Sequence, residues 1–316
     1  MASFALTMTR SLFGMADAVA PSLAGRIAFE LFCRTSDPAK LTPAEKRVVD
    51  KAAGFMAEAR HHRLAVGKTC VSAYDFRPPS GRYNRTVLVI HGWRSRTEHM
   101  RYLIDGFRNA GARVISIDLP GHGTSSGRRL NMANAVAAAQ AADTWFGPFE
   151  AVVGHSFGGA VAMNAVVGSV DGIAAVRTER MVVIAAPSSM PMVFEDFGRF
   201  LNLGPRSQTV IASIVERIAG RPLASFVGRD QLEANPVETL VLHAADDKEV
   251  SPDHARLLAG AGPHIDLRWV NGLGHRRIIA DPSVVVQSVD FVLRDEPVEV
   301  AQKPKISRSK VSRSKT

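Results

Sequence analysis

The sequence predicts an α/β fold: a mostly parallel central sheet with helices on both faces, interrupted by one helical insertion. Three observations carry this. Short apolar runs rich in Val and Ile recur along the chain, helix-like segments lie between them, and a single interval breaks the alternation. A β-branched run without polar alternation is what a strand buried on both faces requires. Joining such strands through helices gives right-handed crossovers and a parallel sheet.

In chain order, the strand-like runs are 86–91, 113–118, 151–154, 181–185, 239–243 and 265–270. The segments 97–109, 131–146, 157–170, 252–259 and 282–293 read as helices. Ahead of the sheet, Thr42 is a natural N-cap, Pro43 suits the first helical position and Glu45 completes a capping box, which predicts a helix over 43–59. The interval 188–236 has no good buried strand and is rich in Met, Phe and Leu with scattered Pro and Gly. The expected organisation is an N-terminal helical extension over 1–67, a core over 68–187 and 237–296, a helical lid insertion over 188–236, and a disordered basic tail over 297–316.

Composition sets limits on partners. Hydrophobic residues make up 46% of the 316 and charged residues 22%, ordinary for a globular chain. The net charge of +9 points to nucleic acid only until it is located. Lys303, Lys305, Arg308, Lys310, Arg313 and Lys315 lie in a stretch with no acid, and removing those six leaves +3 for the rest. No nucleic-acid partner is expected; the tail reads as a solubilising segment or a contact to an anionic surface. Two cysteines, Cys33 and Cys70, form neither a disulfide framework nor a paired metal site, and fit a reducing compartment. Asp17 and Pro21 interrupt the apolar N-terminus, which argues against a signal peptide and favours a cytoplasmic protein. Phe4, Leu6, Leu12, Phe13, Phe29, Leu31 and Phe32 could form an apolar face that docks on the protein itself or peripherally on a membrane.

The chemistry is carried by Gly154-His-Ser-Phe-Gly158, which matches G-x-S-x-G with Ser156 as nucleophile. A serine held on a tight strand-to-helix turn needs small neighbours, because other chain must pass close by. Such a pentapeptide arises by chance in about one chain of this length in ten, so its setting matters. Here it follows a β-branched run and precedes a helix rich in small residues. A serine hydroxyl needs a base, and the base needs an acid to fix its tautomer. The acidic loop containing Asp246 and Asp247 follows the run 239–243, and the glycine-flanked His275 follows the run 265–270. The order Ser156, Asp247, His275 suits this fold, and each residue lies beyond the C-terminal end of a strand, where open α/β sheets gather their active sites.

With those residues in view, the stretch 68–295 resembles the α/β-hydrolase superfamily. The resemblance rests on V-L-V-I-H-G-W (87–93), I-D-L-P-G-H-G-T-S-S-G (117–127), V-G-H-S-F-G-G (153–159), L-H-A-A-D-D-K-E-V (242–250) and G-L-G-H (272–275). It implies an oxyanion hole formed by the backbone amides of Trp93 and Phe157. The family pattern Asp, two residues, Val is met by Asp247-Lys-Glu-Val250, whereas Asp246 needs a slipped register. Ala244 stands where members often have Gly.

Other residues receive plainer readings. Gly121, Gly123 and Gly127 belong to a structural loop, not a dinucleotide fingerprint, because they do not open a helix. His61 and His62 read as solvated, Asp118 as structural, and His91 and His155 as shaping the site. The expected activity is that of a carboxylesterase acting on a small-molecule acyl ester through an acyl-enzyme, with no cofactor or metal. A serine nucleophile argues against dehalogenase or epoxide-hydrolase chemistry. The alternatives are lysophospholipase-like or monoacylglycerol-lipase-like activity, a peptidase, or a non-catalytic receptor on a hydrolase fold.

Overall fold

The computed structural model describes residues 4–37 and 40–294. Eight strands form one sheet: β1 Arg60–Val66, β2 Thr69–Phe76, β3 Thr86–Ile90, β4 Arg113–Ile117, β5 Ala151–His155, β6 Arg180–Ile184, β7 Glu238–His243 and β8 Ile265–Trp269. Their spatial order is β1-β2-β4-β3-β5-β6-β7-β8. From β4 to β8 every neighbouring pair is parallel, while β1 and β2 form an antiparallel hairpin on the β4 edge.

Both faces of the parallel strands are covered, which is why their sequences are apolar at consecutive positions. Leu88 and Ile90 point into one core and Val87 and Val89 into the other. The helices are α1 Phe4–Val19, α2 Pro21–Cys33, α3 Pro43–Ala57, α4 Arg101–Asn109, α5 Met132–Phe146, α6 Phe157–Val166, α7 Met190–Leu201, α8 Pro205–Ala219, α9 Gly228–Ala234, α10 Asp253–Ala259, α11 Gly274–Arg277 and α12 Pro282–Leu293. Leu103, Ile104 and Phe107 of α4 and Val284, Phe291 and Val292 of α12 cover the Val87 face. Phe29 of α2, together with α5 and α6, covers the Leu88 face. The capping box at Thr42 is present, with Glu45 N–H donating to Thr42 Oγ1 and Thr42 N–H donating to Glu45 Oε2.

The sheet begins at Arg60, inside the segment expected to be a helical extension. β1 (RHHRLAV) is an edge strand with only Leu64 and Val66 buried, so it lacks the apolar run that marks an interior strand. His61 stacks on Tyr74 and His62 meets the Phe146 ring edge-on, so both rings have packing roles. Arg113 makes a two-pronged salt bridge to Asp75, at 2.9 and 3.0 Å, which ties the hairpin to β4.

Helices α7, α8 and α9 fill the interval between β6 and β7. The two N-terminal helices dock on them: α2 lies against α8, and Gly25 is so close that a Cβ there would lie 2.6 Å from Ser207 O. Phe13 and Phe29 are buried and Phe32 packs against the core, so those members of the expected apolar face dock on the protein; Leu12 and Leu31 stay exposed. The side chain of Phe4 and the basic tail 297–316 lie outside the described residues. Among the described residues, no helix is long and apolar enough to cross a membrane.

Candidate active site

Ser156 sits between β5 and α6 with φ 54° and ψ −126°. This positive φ is costly for a residue with a Cβ and persists only where the surroundings enforce it. They do so by crowding. A Cβ on Gly154 would lie 2.3 Å from Gly158 O, and one on Gly158 would lie 2.3 Å from Ile90 O, so the elbow closes only with glycine at both positions.

The serine meets its neighbours in a line. Ser156 Oγ is 3.0 Å from His275 Nε2, and His275 Nδ1 is 2.8 Å from Asp247 Oδ2. Burial pushes the Asp247 carboxyl up, but hydrogen bonds from His275, Val250 N–H and Glu249 N–H outweigh it and hold the group below its ordinary value. An ionised carboxylate can only accept, so His275 carries its proton on Nδ1 and leaves Nε2 free to accept from Ser156. Asp246 faces elsewhere: its Oδ1 accepts from Gly272 N–H at 3.0 Å and Gly274 N–H at 3.4 Å. The two acids thus divide the work, one bonding to the imidazole and the other tying down the loop that carries it.

Gly92 runs against the serine, since a Cβ there would lie 2.9 Å from Ser156 Cβ. The next residue, Trp93, packs edge-on against Phe157, with ring centroids 5.2 Å apart. Two histidines fix this turn. Leu119 N–H donates to His91 Nε2, so the His91 proton sits on Nδ1 and is given to Gly92 O at 2.7 Å. Arg94 N–H donates to His122 Nε2, whose Nδ1 then donates to Pro120 O. Burial lowers the pKa of both rings, which keeps them neutral as these bonds demand. Arg94, at φ 53°, is a second residue held in the left-handed region.

Below the serine, His155 Nε2 donates to His275 O at 2.9 Å, and burial next to His275 lowers its pKa to about 4. His243 Nε2 donates to Val250 O and lies 3.6 Å from Asp247 Oδ2. Asp118 is buried and accepts from Thr97 N–H, Thr124 N–H and Tyr74 OH, which pins the 117–127 loop. Sequence reasoning missed the anchoring roles of His122, His243 and Asp246. The available signal was position, since His243 ends β7, Asp246 follows it and His122 lies in the loop after β4. A second Ser–His contact, Ser188 Oγ to His254 Nδ1 at 3.0 Å, has no free base, because the same nitrogen accepts from Ser188 N–H.

Rings lead away from the serine: Phe157, Trp93, Phe32 and Phe194 follow one another at centroid distances of 5.2, 5.7 and 4.6 Å. One ring beyond Trp93 a narrow apolar slot opens between α2 and the insertion, lined by Phe29, Phe32, Phe194, Ile218, Leu223 and Phe226 among others. A wider polar cavity near Tyr83, Arg113 and Glu179 lies at the N-terminal ends of the strands, away from the serine. Among the described residues, no cluster of three or more His, Cys, Asp or Glu is arranged to hold a metal ion.

Residues 87–288 match the alpha/beta hydrolase family. The chain belongs to that family. No curated protein matches this hydrolase. Among solved structures it is similar to Est1E from Butyrivibrio proteoclasticus, at 15% identity and a TM-score of 0.58, over 74% of this chain and 97% of that one. It is also similar to the esterase EaEST from Exiguobacterium antarcticum, at 16% identity and a TM-score of 0.55, covering 74% and 99%. A thioesterase domain from the curacin biosynthetic pathway aligns at 15% identity and a TM-score of 0.51, covering 74% and 99%. At these identities the likeness is one of fold.

Proposed function

We propose that this hydrolase cleaves carboxylic esters through a Ser156–His275–Asp247 triad. The observation that carries the reading is the unbroken hydrogen-bond line from Ser156 Oγ through His275 to Asp247. In the first step His275 Nε2 takes the hydroxyl proton as Ser156 Oγ attacks the acyl carbon. The resulting oxyanion is held by the Trp93 and Phe157 amides; losing one such donor typically raises the barrier by about 3–4 kcal/mol. His275 then gives its proton to the leaving alcohol, and water releases the acyl group by the same route in reverse.

The apolar slot behind Trp93 favours a second, narrower reading, in which the acyl group is a long alkyl chain of the lysophospholipid or monoacylglycerol type. Two measurements test them in turn. A fluorophosphonate probe should label the wild type and leave Ser156→Ala unlabelled; equal labelling of the two ends the triad reading. A p-nitrophenyl ester series from acetate to laurate should then rise in kcat/KM with chain length if the slot takes the acyl chain, and fall if it does not.

A further inference from the structure

The N-terminal helices have two apolar sides. The inner side is in use: Phe13, Ala24, Ala28 and Phe29 are buried, Asp17 accepts from Ser207 N–H at 3.0 Å, and Arg10 Nη1 donates to Phe200 O at 3.0 Å. These contacts hold α1 and α2 firmly on the insertion. The outer side presents Leu12, Met15 and Val19 on α1 and Leu23, Ile27 and Leu31 on α2, spaced three or four residues apart within each helix as an exposed stripe must be. Each is at least 46% exposed, and Val19 reaches 86%. Single exposed apolar residues mean little, but a row of six marks a surface that expects an occupant.

We infer that this stripe seats the protein on an anionic lipid surface. Charge around the C-terminal end of α2 is what selects lipid over another protein face. Both of their carboxylates are engaged, Asp17 by the Ser207 amide and Glu30 by Arg129 at 2.7 Å. Arg26 is exposed on α2 and Arg34 just beyond its end, so with Arg129 three arginines stand there against the single carboxylate of Glu30. Aliphatic side chains flanked by arginine are the combination that enters the acyl–headgroup boundary of an anionic membrane. The geometry of docking also suits the chemistry, a point that rests on the esterase reading. The inner side of α2 supplies Phe29 and Phe32 to the apolar slot, so the thickness of one helix, about 10 Å, separates the lipid from the slot.

The test is co-sedimentation of the full chain with sucrose-loaded vesicles of phosphatidylcholine and phosphatidylglycerol in equal parts, and of phosphatidylcholine alone. The wild type should pellet with the mixed vesicles. Combining Leu12→Glu, Leu23→Glu and Ile27→Glu should lower the bound fraction about tenfold or more while leaving the melting temperature near that of the wild type. If that variant melts early, Val19→Glu alone replaces it. Arg26→Gln with Arg34→Gln should weaken binding to the mixed vesicles only. Ser156→Ala should bind as the wild type does, so a failed esterase reading and a failed docking reading give different results. The inference is overturned if the wild type stays in the supernatant, if the glutamate variant pellets as well as the wild type, or if a chain ending at residue 296 loses all binding. It is equally overturned if sedimentation equilibrium finds a dimer that only the glutamate variant breaks, which would make a second copy the occupant.

Discussion

Asp247 has both oxygens engaged: Oδ1 accepts from Glu249 N–H and Val250 N–H, and Oδ2 faces His275. The backbone pair fixes the carboxylate, and the carboxylate fixes the imidazole. Replacing it with Asn offers the ring a donor or a weaker acceptor and lets the other tautomer compete, so Nε2 is no longer reliably free. On the proposed mechanism, Asp247→Asn should lower kcat by about 10⁴-fold with the fold retained. Asp246→Ala removes only two backbone contacts to the loop and should cost less than about tenfold. Steady-state kinetics on both variants decides which aspartate is the acid, and a larger loss at Asp246 would reverse the assignment. The sequence held this answer only in part. Spacing to Val250 favoured Asp247, but nothing in a linear reading says that its neighbour clasps the loop of His275, because that contact spans 26 residues and depends on how two strand ends meet.

At the scale of elements, legibility followed burial. β3 to β7 are interior strands and their apolar runs declare it, and the edge strand β8 (IDLRW) still sets Ile265 and Leu267 against the core; β1 and β2 form a hairpin whose outer strand shows a polar RHHR, and no apolar run announces it. The N-terminal helices were legible as apolar but not as a docked pair, since which side of an amphipathic helix is covered depends on a partner distant in sequence. Gly25 is the clearest sign of that partner. A Cβ there would meet Ser207 O at 2.6 Å and Val210 Cβ at 2.7 Å, so α2 and α8 approach backbone to side chain. Two further methyl groups cannot be absorbed without separating the helices. Gly25→Val should therefore destabilise the protein by about 1–3 kcal/mol, read as a lowered urea midpoint. An unchanged midpoint would mean that α2 is free to move on α8. The insertion is held between this pair and the core, so the same variant should loosen the slot and raise KM for long-chain esters more than for acetate.

Across the whole molecule, six histidines are kept neutral by burial: His91, His99, His122, His155, His243 and His254 all have lowered pKa values, that of His155 brought down to about 4. The tautomers around the site need that neutrality, because His91 and His122 each accept from a backbone N–H that a protonated ring could not receive. The sign follows from proton counts. Below their ordinary pKa of about 6.5 these rings bind protons in the unfolded chain but not in the fold, so stability rises with pH and is lost as pH falls toward 4. His155 alone should cost about 2 kcal/mol between roughly pH 7 and pH 5. Asp247, also lowered, adds a further loss at still lower pH, when its own carboxylate protonates. On the alkaline side burial raises Cys33 to about 12 from 9.0 and raises Tyr74 as well, so stability falls again once the unfolded thiol can ionise. Urea unfolding across the range should give a plateau from about pH 7 to pH 8.5 with a fall on each side. Calorimetry near pH 5.5, repeated in two buffers of different ionisation enthalpy, should show protons taken up on unfolding. Proton release there would mean that the buried histidines are charged in the fold and that His91 and His122 do not accept from Leu119 and Arg94.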